Sequence, residues 1–226
     1  MADEYIRRGL NIRIINNDEN RGPGLARQSI LDTTESDYIM FLDSDDMLMP
    51  RAVSILYKQA KQDEYDMVRS SFIREEKDKQ DILLPQNINT ITWFHGKIYR
   101  TAYLKDNNIR FHPNLRADED AFFNLIAWNS AKKRGETSEV TYIWRFNENS
   151  IPRGSSGKEY FMKTYMYYMT SQVEGLCELF RLNPEVDASL VMQTLINTYT
   201  YYMRARYYNL DEATMEALIT KLKLEE

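Results

Sequence analysis

Cysteine is all but absent. Cys177 stands alone, so no internal disulfide can form, which fits a reducing compartment. There are 2 histidines, His95 and His112, and neither has a partner at zinc-ligand spacing. Each is expected in a surface or hydrogen-bonded structural role. Basic charge is not in excess either. The 29 Lys and Arg face 34 Asp and Glu, a net charge of −5, which excludes a general basic footprint for nucleic acid. No apolar run reaches the length of a membrane span, and the opening Met1-Ala2-Asp3-Glu4 does not resemble a secretion signal. The expected location is therefore cytoplasmic, the inner face of a membrane included. A Walker loop, a Gly-x-Gly-x-x-Gly turn, internal repeats and low-complexity tracts are all missing.

What remains is a chain of 226 residues with 43% hydrophobic and 28% charged residues, enough for one sizeable domain and an appendage. Asp3 to Leu10 reads as a helix end and Asn11 to Ile15 as a short strand. A turn-rich segment, Asn16 to Gly24, leads to a helix over Leu25 to Thr33, and Tyr38 to Leu42 is the next strand. This order at short spacing predicts a βαβ unit with a parallel pair. Pro50 to Lys61 predicts a helix and Asp66 to Ile73 a strand, and the charged Arg74 to Asp81 predicts a solvated loop or hairpin. Thr90 to Phe94 is apolar and β-branched, and Leu104 to Phe111 reads as a helix end turning into a short strand. Asp118 to Ser130 is an amphipathic helix and Val140 to Phe146 a strand, followed by a linker-like Asn147 to Gly157. From Lys158 the period is helical, with helices expected over Glu159 to Phe180, Pro184 to Tyr208 and Asp211 to Leu224. Their Met and Tyr stripes read as core first. Their aromatic load also predicts packing on the α/β part, with a patch left for a partner, a second copy or a membrane surface.

The most informative stretch is Tyr38-Ile39-Met40-Phe41-Leu42-Asp43-Ser44-Asp45-Asp46, an apolar strand that runs straight into three carboxylates. Open α/β sheets place ligands at the carboxyl ends of strands. Carboxylates crowded there repel one another unless they stay solvated or a hard cation takes their oxygens. An EF-hand fails, for want of Gly at the sixth loop position and Glu at the twelfth. Two chemistries survive. Asp43 and Asp45 hold Mg or Mn against a diphosphate, or Asp43 is the nucleophile of a haloacid-dehalogenase-like phosphohydrolase. Met47 stands where that second family carries Thr or Val. The bland reading is a solvated acidic turn, with Asp46 capping the helix near Pro50.

Ala117-Asp118-Glu119-Asp120 opens the amphipathic helix. Acids in a first turn complement the helix dipole, and a carboxylate there is equally a candidate general base. Lys97 and Arg100 follow a glycine and are candidates for phosphate contact, although scattered basic residues usually face solvent.

Several ordered segments resemble family 2 glycosyltransferases of the GT-A fold. They are Asn20-Arg21-Gly22-Pro23-Gly24-Leu25-Ala26-Arg27-Gln28, the Asp37 to Asp46 strand and acids, Phe94-His95-Gly96-Lys97-Ile98-Tyr99-Arg100, and Asp118-Glu119-Asp120-Ala121-Phe122-Phe123. Ile143-Trp144-Arg145, Ser150-Ile151 and Arg153 extend the likeness, which covers roughly residues 11 to 155. The resemblance implies a mostly parallel α/β sheet at 1–155 and a helical region at 158–226. It also implies a nucleotide-diphospho-sugar donor, Mn or Mg, and inverting transfer to a glycan, lipid-linked or protein acceptor. By position, Asp43 and Asp45 would meet the metal–diphosphate and the donor's ribose or sugar. Arg27 and Lys97 would lie on the donor side, Asp120 would be the base, and Glu119 its neighbour in the acceptor pocket. A non-catalytic carbohydrate- or partner-binding remnant is the third reading, and self-association is compatible with any of them.

Three features depart from the family pattern. Gln28 replaces the usual Asn, and the Gln-x-x-Arg-Trp motif of processive synthases is absent, which points to single-sugar transfer. The family's first strand, with its Pro-x-Tyr-Asn turn, and its second, with an Asp-rich turn, do not precede Met1. The expectation is a shortened transferase of weak activity by itself, with Ile12–Ile15 and Tyr38–Leu42 as neighbouring parallel strands.

Overall fold

A computed structural model describes residues 2–77, 82–147 and 157–207. Helix α1 (Ala2–Arg7) is followed by turns, bends and irregular chain up to α2 (Pro23–Thr33), whose first turn is set by Pro23. Strand β1 (Tyr38–Ile39) leads through the acidic turn to β2 (Met47–Leu48) and α3 (Ala52–Gln62). Strands β3 (Met67–Lys77) and β4 (Leu83–Ile88) form a hairpin. Then come β5 (Lys97–Arg100), α4 (Thr101–Asp106), α5 (Glu119–Ser130) and β6 (Arg134–Trp144). The long helices α6 (Gly157–Leu182) and α7 (Ala188–Tyr207) complete the described chain.

The strands form one sheet in the order β1-β5-β3-β6-β2, with β4 also on β3. Only β3 and β6 run parallel among the described pairings; the others are antiparallel. The sheet is therefore mixed rather than mostly parallel. The expected parallel neighbour of β1 does not form. Residues 11–15 take no strand, Ile14 is exposed, and β1 pairs instead with β5, Tyr38 opposite Arg100 and Ile39 opposite Tyr99. A segment without ladder partners has no hydrogen bonds to hold it as a strand. Thr90–Phe94 and the stretch before Phe111 are likewise bends and coil, although Phe94 and Phe111 are buried. Burial alone explains their apolar character. The expected linker lies largely outside the described residues, and the helix expected over Asp211–Leu224 lies wholly outside them.

The main core is aromatic. Phe41, just beyond β1, touches the rings of Phe94, Tyr99, Phe111 and Phe123, and Phe111 stacks on Phe123 with centroids 4.4 Å apart. Helix α5 lies in this core along nearly its whole length, and α6 packs along α5. Gly175 permits that approach, because a Cβ there would stand 2.9 Å from Leu125 Cδ2. The C-terminal helices thus do pack on the α/β part, through α6. Helix α7 packs on α6 around Phe161, Tyr165, Met169 and Ala205. Among the described residues no helix is long and apolar enough to cross a membrane.

Candidate active site

Phe41 is held in the core and Leu42 is half exposed, so the chain leaves the core where the acids begin. The Asp46 amide donates to the Asp43 carbonyl at 3.1 Å and closes the turn. Beyond it, Met47 and Leu48 pair with Ile143 and Tyr142 of β6. The turn therefore rests on β6, with α2 and the start of α5 beside it.

Arg27 of α2 joins two of these elements. Its Nη2 donates to Asp43 Oδ1 at 2.5 Å and its Nη1 to Glu119 Oε1 at 2.8 Å, while its guanidinium lies over the Phe94 ring. Burial works against the Arg27 charge, but Asp43 and Glu119 outweigh it and raise its proton affinity. Arg27, Asp43 and Glu119, far apart in sequence, are thus one ion-paired unit.

Asp46 does not cap a helix. The position before α3 belongs to Arg51, without a side-chain cap. The Asp46 carboxylate instead accepts from the Tyr142 hydroxyl at 2.6 Å and from the Arg145 amide at 2.9 Å. Burial lifts its pKa to about 6 against those two donors. His95 Nε2 stands 3.7 Å from Asp46 Oδ2. The imidazole is buried among Phe72, Trp93, Tyr142 and Trp144, and its Nδ1 has no hydrogen-bond partner. Desolvation, with Lys97, Arg27 and Arg74 nearby, lowers its pKa to about 3, so the ring is neutral at pH 7. Gly96 beside it takes φ +64°, and a Cβ there would fall 2.5 Å from Ser70 Oγ.

One ligand atom each from Asp43, Asp46 and His95 lie within 4.8 Å of one another. Two carboxylates and a neutral imidazole whose Nε2 faces one of them fit a divalent cation. The Arg27 guanidinium now occupies the cationic place against Asp43. Asp45 is exposed at the rim, where its Oδ2 accepts from Asn147 at 2.9 Å. Sequence reasoning paired Asp43 with Asp45 and gave His95 a structural role. Only the fold carries His95, 49 positions from Asp46, to that carboxylate.

Asp120 lies in the first turn of α5 and its Oδ1 accepts from the Ala121 amide at 2.8 Å. Burial, then Glu119 and Asp118, raise its proton affinity well above that of a solvated carboxylate. Lys97 is buried, and its Nζ donates to the carbonyls of Trp93 and His95 rather than facing solvent. Burial lowers its pKa to about 7, although the charge of Asp120 opposes this. Arg100 instead pairs with Asp66, away from the acids. A cavity of about 620 Å³ between α2, α5 and α6 is lined by Phe111, His112, Phe122 and Glu174 and does not include the acid cluster.

The family model "Glycosyl transferase family 2" matches residues 1–117, about half of the chain. An uncharacterized glycosyltransferase, EpsJ of Bacillus subtilis, is 26% identical over 205 residues, 79% of this chain and 59% of its own. The poly(ribitol-phosphate) β-N-acetylglucosaminyltransferase TarS of Staphylococcus aureus is 29% identical over 154 residues, 62% of this chain and 26% of its own. The chain thus spans little more than half of EpsJ and a quarter of TarS. A crystal structure of S. aureus TarS 1–349 with UDP superposes with a TM-score of 0.61 at 21% identity, over 90% of this chain and 57% of that one. A second, with UDP-GlcNAc, gives 0.58. An acid turn after a buried strand, tied through one arginine to the acids that open α5, on a GT-A-like sheet, goes with the matched residues to one conclusion: this chain belongs to glycosyltransferase family 2.

Proposed function

We propose that this chain carries the catalytic core of an inverting, metal-dependent transfer of a sugar from a nucleoside-diphosphate donor to a hydroxyl of a glycan, lipid-linked or polyol acceptor. The observation that carries the reading is the Arg27 bridge between Asp43 and Glu119, which holds the acid turn beside Asp120. Donor-side and acceptor-side carboxylates are thereby fixed relative to each other, as a displacement reaction requires. The UDP and UDP-GlcNAc named for the TarS structures support a uridine-diphosphate donor.

In this reading Asp120 accepts the proton of the acceptor hydroxyl. The freed oxygen bonds to the sugar's anomeric carbon, and the bond from that carbon to the diphosphate oxygen breaks with its electron pair leaving on the diphosphate. A carboxylate with raised proton affinity is the stronger base for the first of these events. Asp43, Asp46 and His95, with Asp45 at the rim, would hold Mn or Mg, which when bound neutralises charge on the leaving diphosphate. Arg27 keeps Asp43 and Glu119 in place, and the Lys97 ammonium interacts favourably with the charge of Asp120.

The test separates binding from turnover. UDP should stabilise the chain against heat in the presence of Mn and much less without it, and Asp46→Asn should remove the Mn-dependent part. Asp120→Asn should lower transfer by about 10² to 10⁴, the scale of one lost general base, while UDP affinity stays within about twofold. No response to UDP with Mn in the folded wild-type chain would sink the reading. Equal loss of affinity and turnover in Asp120→Asn would make that residue part of the donor site.

A further inference from the structure

Just before β5 the chain makes a turn with no ladder of its own. Residues 91–96 are bends and a turn, and Phe94, His95 and Gly96 within it are buried. Enclosed carbonyls without ladder partners need donors from elsewhere. Side chains supply them. Asn124 Nδ2 of α5 donates to the Thr92 carbonyl at 3.0 Å. Ser70 of β3 meets the Gly96 carbonyl with its amide at 2.8 Å and its hydroxyl at 2.9 Å. Lys97 Nζ folds back and donates to the carbonyls of Trp93 and His95, the second at 3.4 Å. The carbonyls of Thr92, Trp93, His95 and Gly96 are thus taken by Asn124, Lys97 and Ser70, all three almost wholly buried.

Lys97 is the unusual member of the three. Its hydrogen bonds among the described residues go to carbonyls alone. A methionine of similar length would fill the same space without desolvating an amino group. An amino group, charged or neutral, has at least two N–H donors, and here two carbonyls receive them. What the turn carries is His95. The imidazole packs against the rings of Phe72, Trp93, Tyr142 and Trp144, and its Nε2 stands 3.7 Å from Asp46 Oδ2. Lys97 therefore holds the backbone of His95 itself and of Trp93, one of the rings that enclose it.

We propose that Lys97 is a positioning residue of the cation site. By holding the Trp93 and His95 carbonyls it keeps the His95 imidazole turned to Asp46, where a divalent cation would take it as a ligand beside Asp43 and Asp46. The proposal rests on the metal-dependent reading above. It moves Lys97 from the donor contacts that its place in the sequence implied to the support of the metal ligands. Groups that orient a metal-binding histidine set the affinity of a site without touching the metal. The sign of the effect separates this role from simple charge. Removing a positive charge beside a cation site strengthens cation binding, whereas releasing a ligand weakens it.

Electron paramagnetic resonance of the whole chain with Mn, added alone and then with UDP, tests this. The free Mn signal in a titration gives the affinity, and nitrogen spin-echo modulation reports an imidazole on the bound ion. The wild type should bind Mn with that modulation, and His95→Ala should lose it. Lys97→Met should weaken Mn binding roughly 10- to 100-fold and lose most of the modulation at saturating Mn. Lys97→Gln, which keeps a donor on a shorter stem, should recover part of both, and it serves where the methionine variant does not fold. Met169→Ala, a buried truncation in the core between α6 and α7, should lower Tm and leave the modulation intact. Wild-type Mn affinity and modulation in the Lys97 variants overturn the proposal alone. A fall only in UDP affinity at saturating Mn also overturns it and returns Lys97 to the donor site. Mn bound by the wild type without nitrogen modulation overturns it through His95 and leaves the metal reading on the carboxylates. No Mn binding by the wild type, alone or with UDP, overturns both.

Discussion

Helices α5 and α7 differ more in surroundings than in composition. Of the twelve residues of α5, nine are buried, including Asn124 and the acid Glu119. Of the twenty residues of α7, three are buried: Thr194, Thr198 and Ala205. Both carry aromatic and aliphatic residues throughout. Helix α5 is enclosed by the aromatic core on one side and α6 on the other, whereas α7 packs chiefly on α6. Met192, Ile196, Tyr199 and Tyr207 consequently remain open to solvent. Apolar character in a helix therefore shows what it is able to bury, and the number of neighbouring layers decides how much of it is buried.

The functional demands follow the same division. Asp120, the proposed base, sits where the surroundings are fixed, and a base has to be held relative to the atom it deprotonates. Polar groups enclosed there have partners: Asn124 accepts from the Tyr99 hydroxyl at 2.7 Å and donates to the Thr92 carbonyl at 3.0 Å. The outer face of α7 is under no such requirement.

The sharpest way to break this contrast is a matched pair of truncations. Phe123→Ala, at a fully buried ring of α5, should cost about 3–5 kcal/mol by denaturant unfolding. Ile196→Ala, with its side chain half exposed on α7, should stay within about 0.5 kcal/mol. A cost for Ile196→Ala comparable with that of Phe123→Ala would mean that the outer face of α7 is covered in solution, and sedimentation would then reveal a partner copy.

A smaller effect is expected at Arg27. Arg27→Met keeps an apolar stem over Phe94 but leaves Glu119 enclosed without its cation. Removing one member of a buried pair typically costs about 3–5 kcal/mol, and the exposure of Asp43 argues for roughly 2 kcal/mol here. Arg27→Met combined with Glu119→Gln should recover part of the loss. A double variant no more stable than the single one would show that Glu119 does not depend on Arg27.

The smallest effect sharpens the contact between α5 and α6. Burial, opposed by the Ser171 hydroxyl and reinforced by Glu119, raises Asp118 to a pKa of about 6. Its folded pKa lies above the unfolded value, so its ionisation destabilises the fold as pH rises from about 4 to 6, and the full penalty is present above pH 6. Asp118→Asn keeps an acceptor for Ser171 and removes that penalty. At pH 7.5 it should gain on the order of 1 kcal/mol, about 2–4 °C in Tm, and the gain should shrink toward pH 4. A gain independent of pH would assign the effect to backbone preference at φ +62° instead.

The amino-acid sequence by itself determined a good deal. The helices expected over Leu25–Thr33, Pro50–Lys61 and Asp118–Ser130 stand at Pro23–Thr33, Ala52–Gln62 and Glu119–Ser130, and follow from apolar spacing and from start signals such as Pro50. The acids beyond Phe41 and at the head of α5 were legible as a candidate site, because a charge run at the end of an apolar segment is a local pattern. Which acid meets which partner was not legible. Asp46 has its buried hydroxyl donor in Tyr142, 96 positions away, and Arg27 has one of its two carboxylates 92 positions away. Strand direction was not legible either. Tyr38–Ile39 has the same apolar pattern beside a parallel or an antiparallel neighbour, and only the sheet decided for β5 over residues 11–15. Local order is encoded by neighbours in sequence. Ladder pairing, ion pairing and the burial of His95 against Asp46 depend on groups that meet only once the chain has folded.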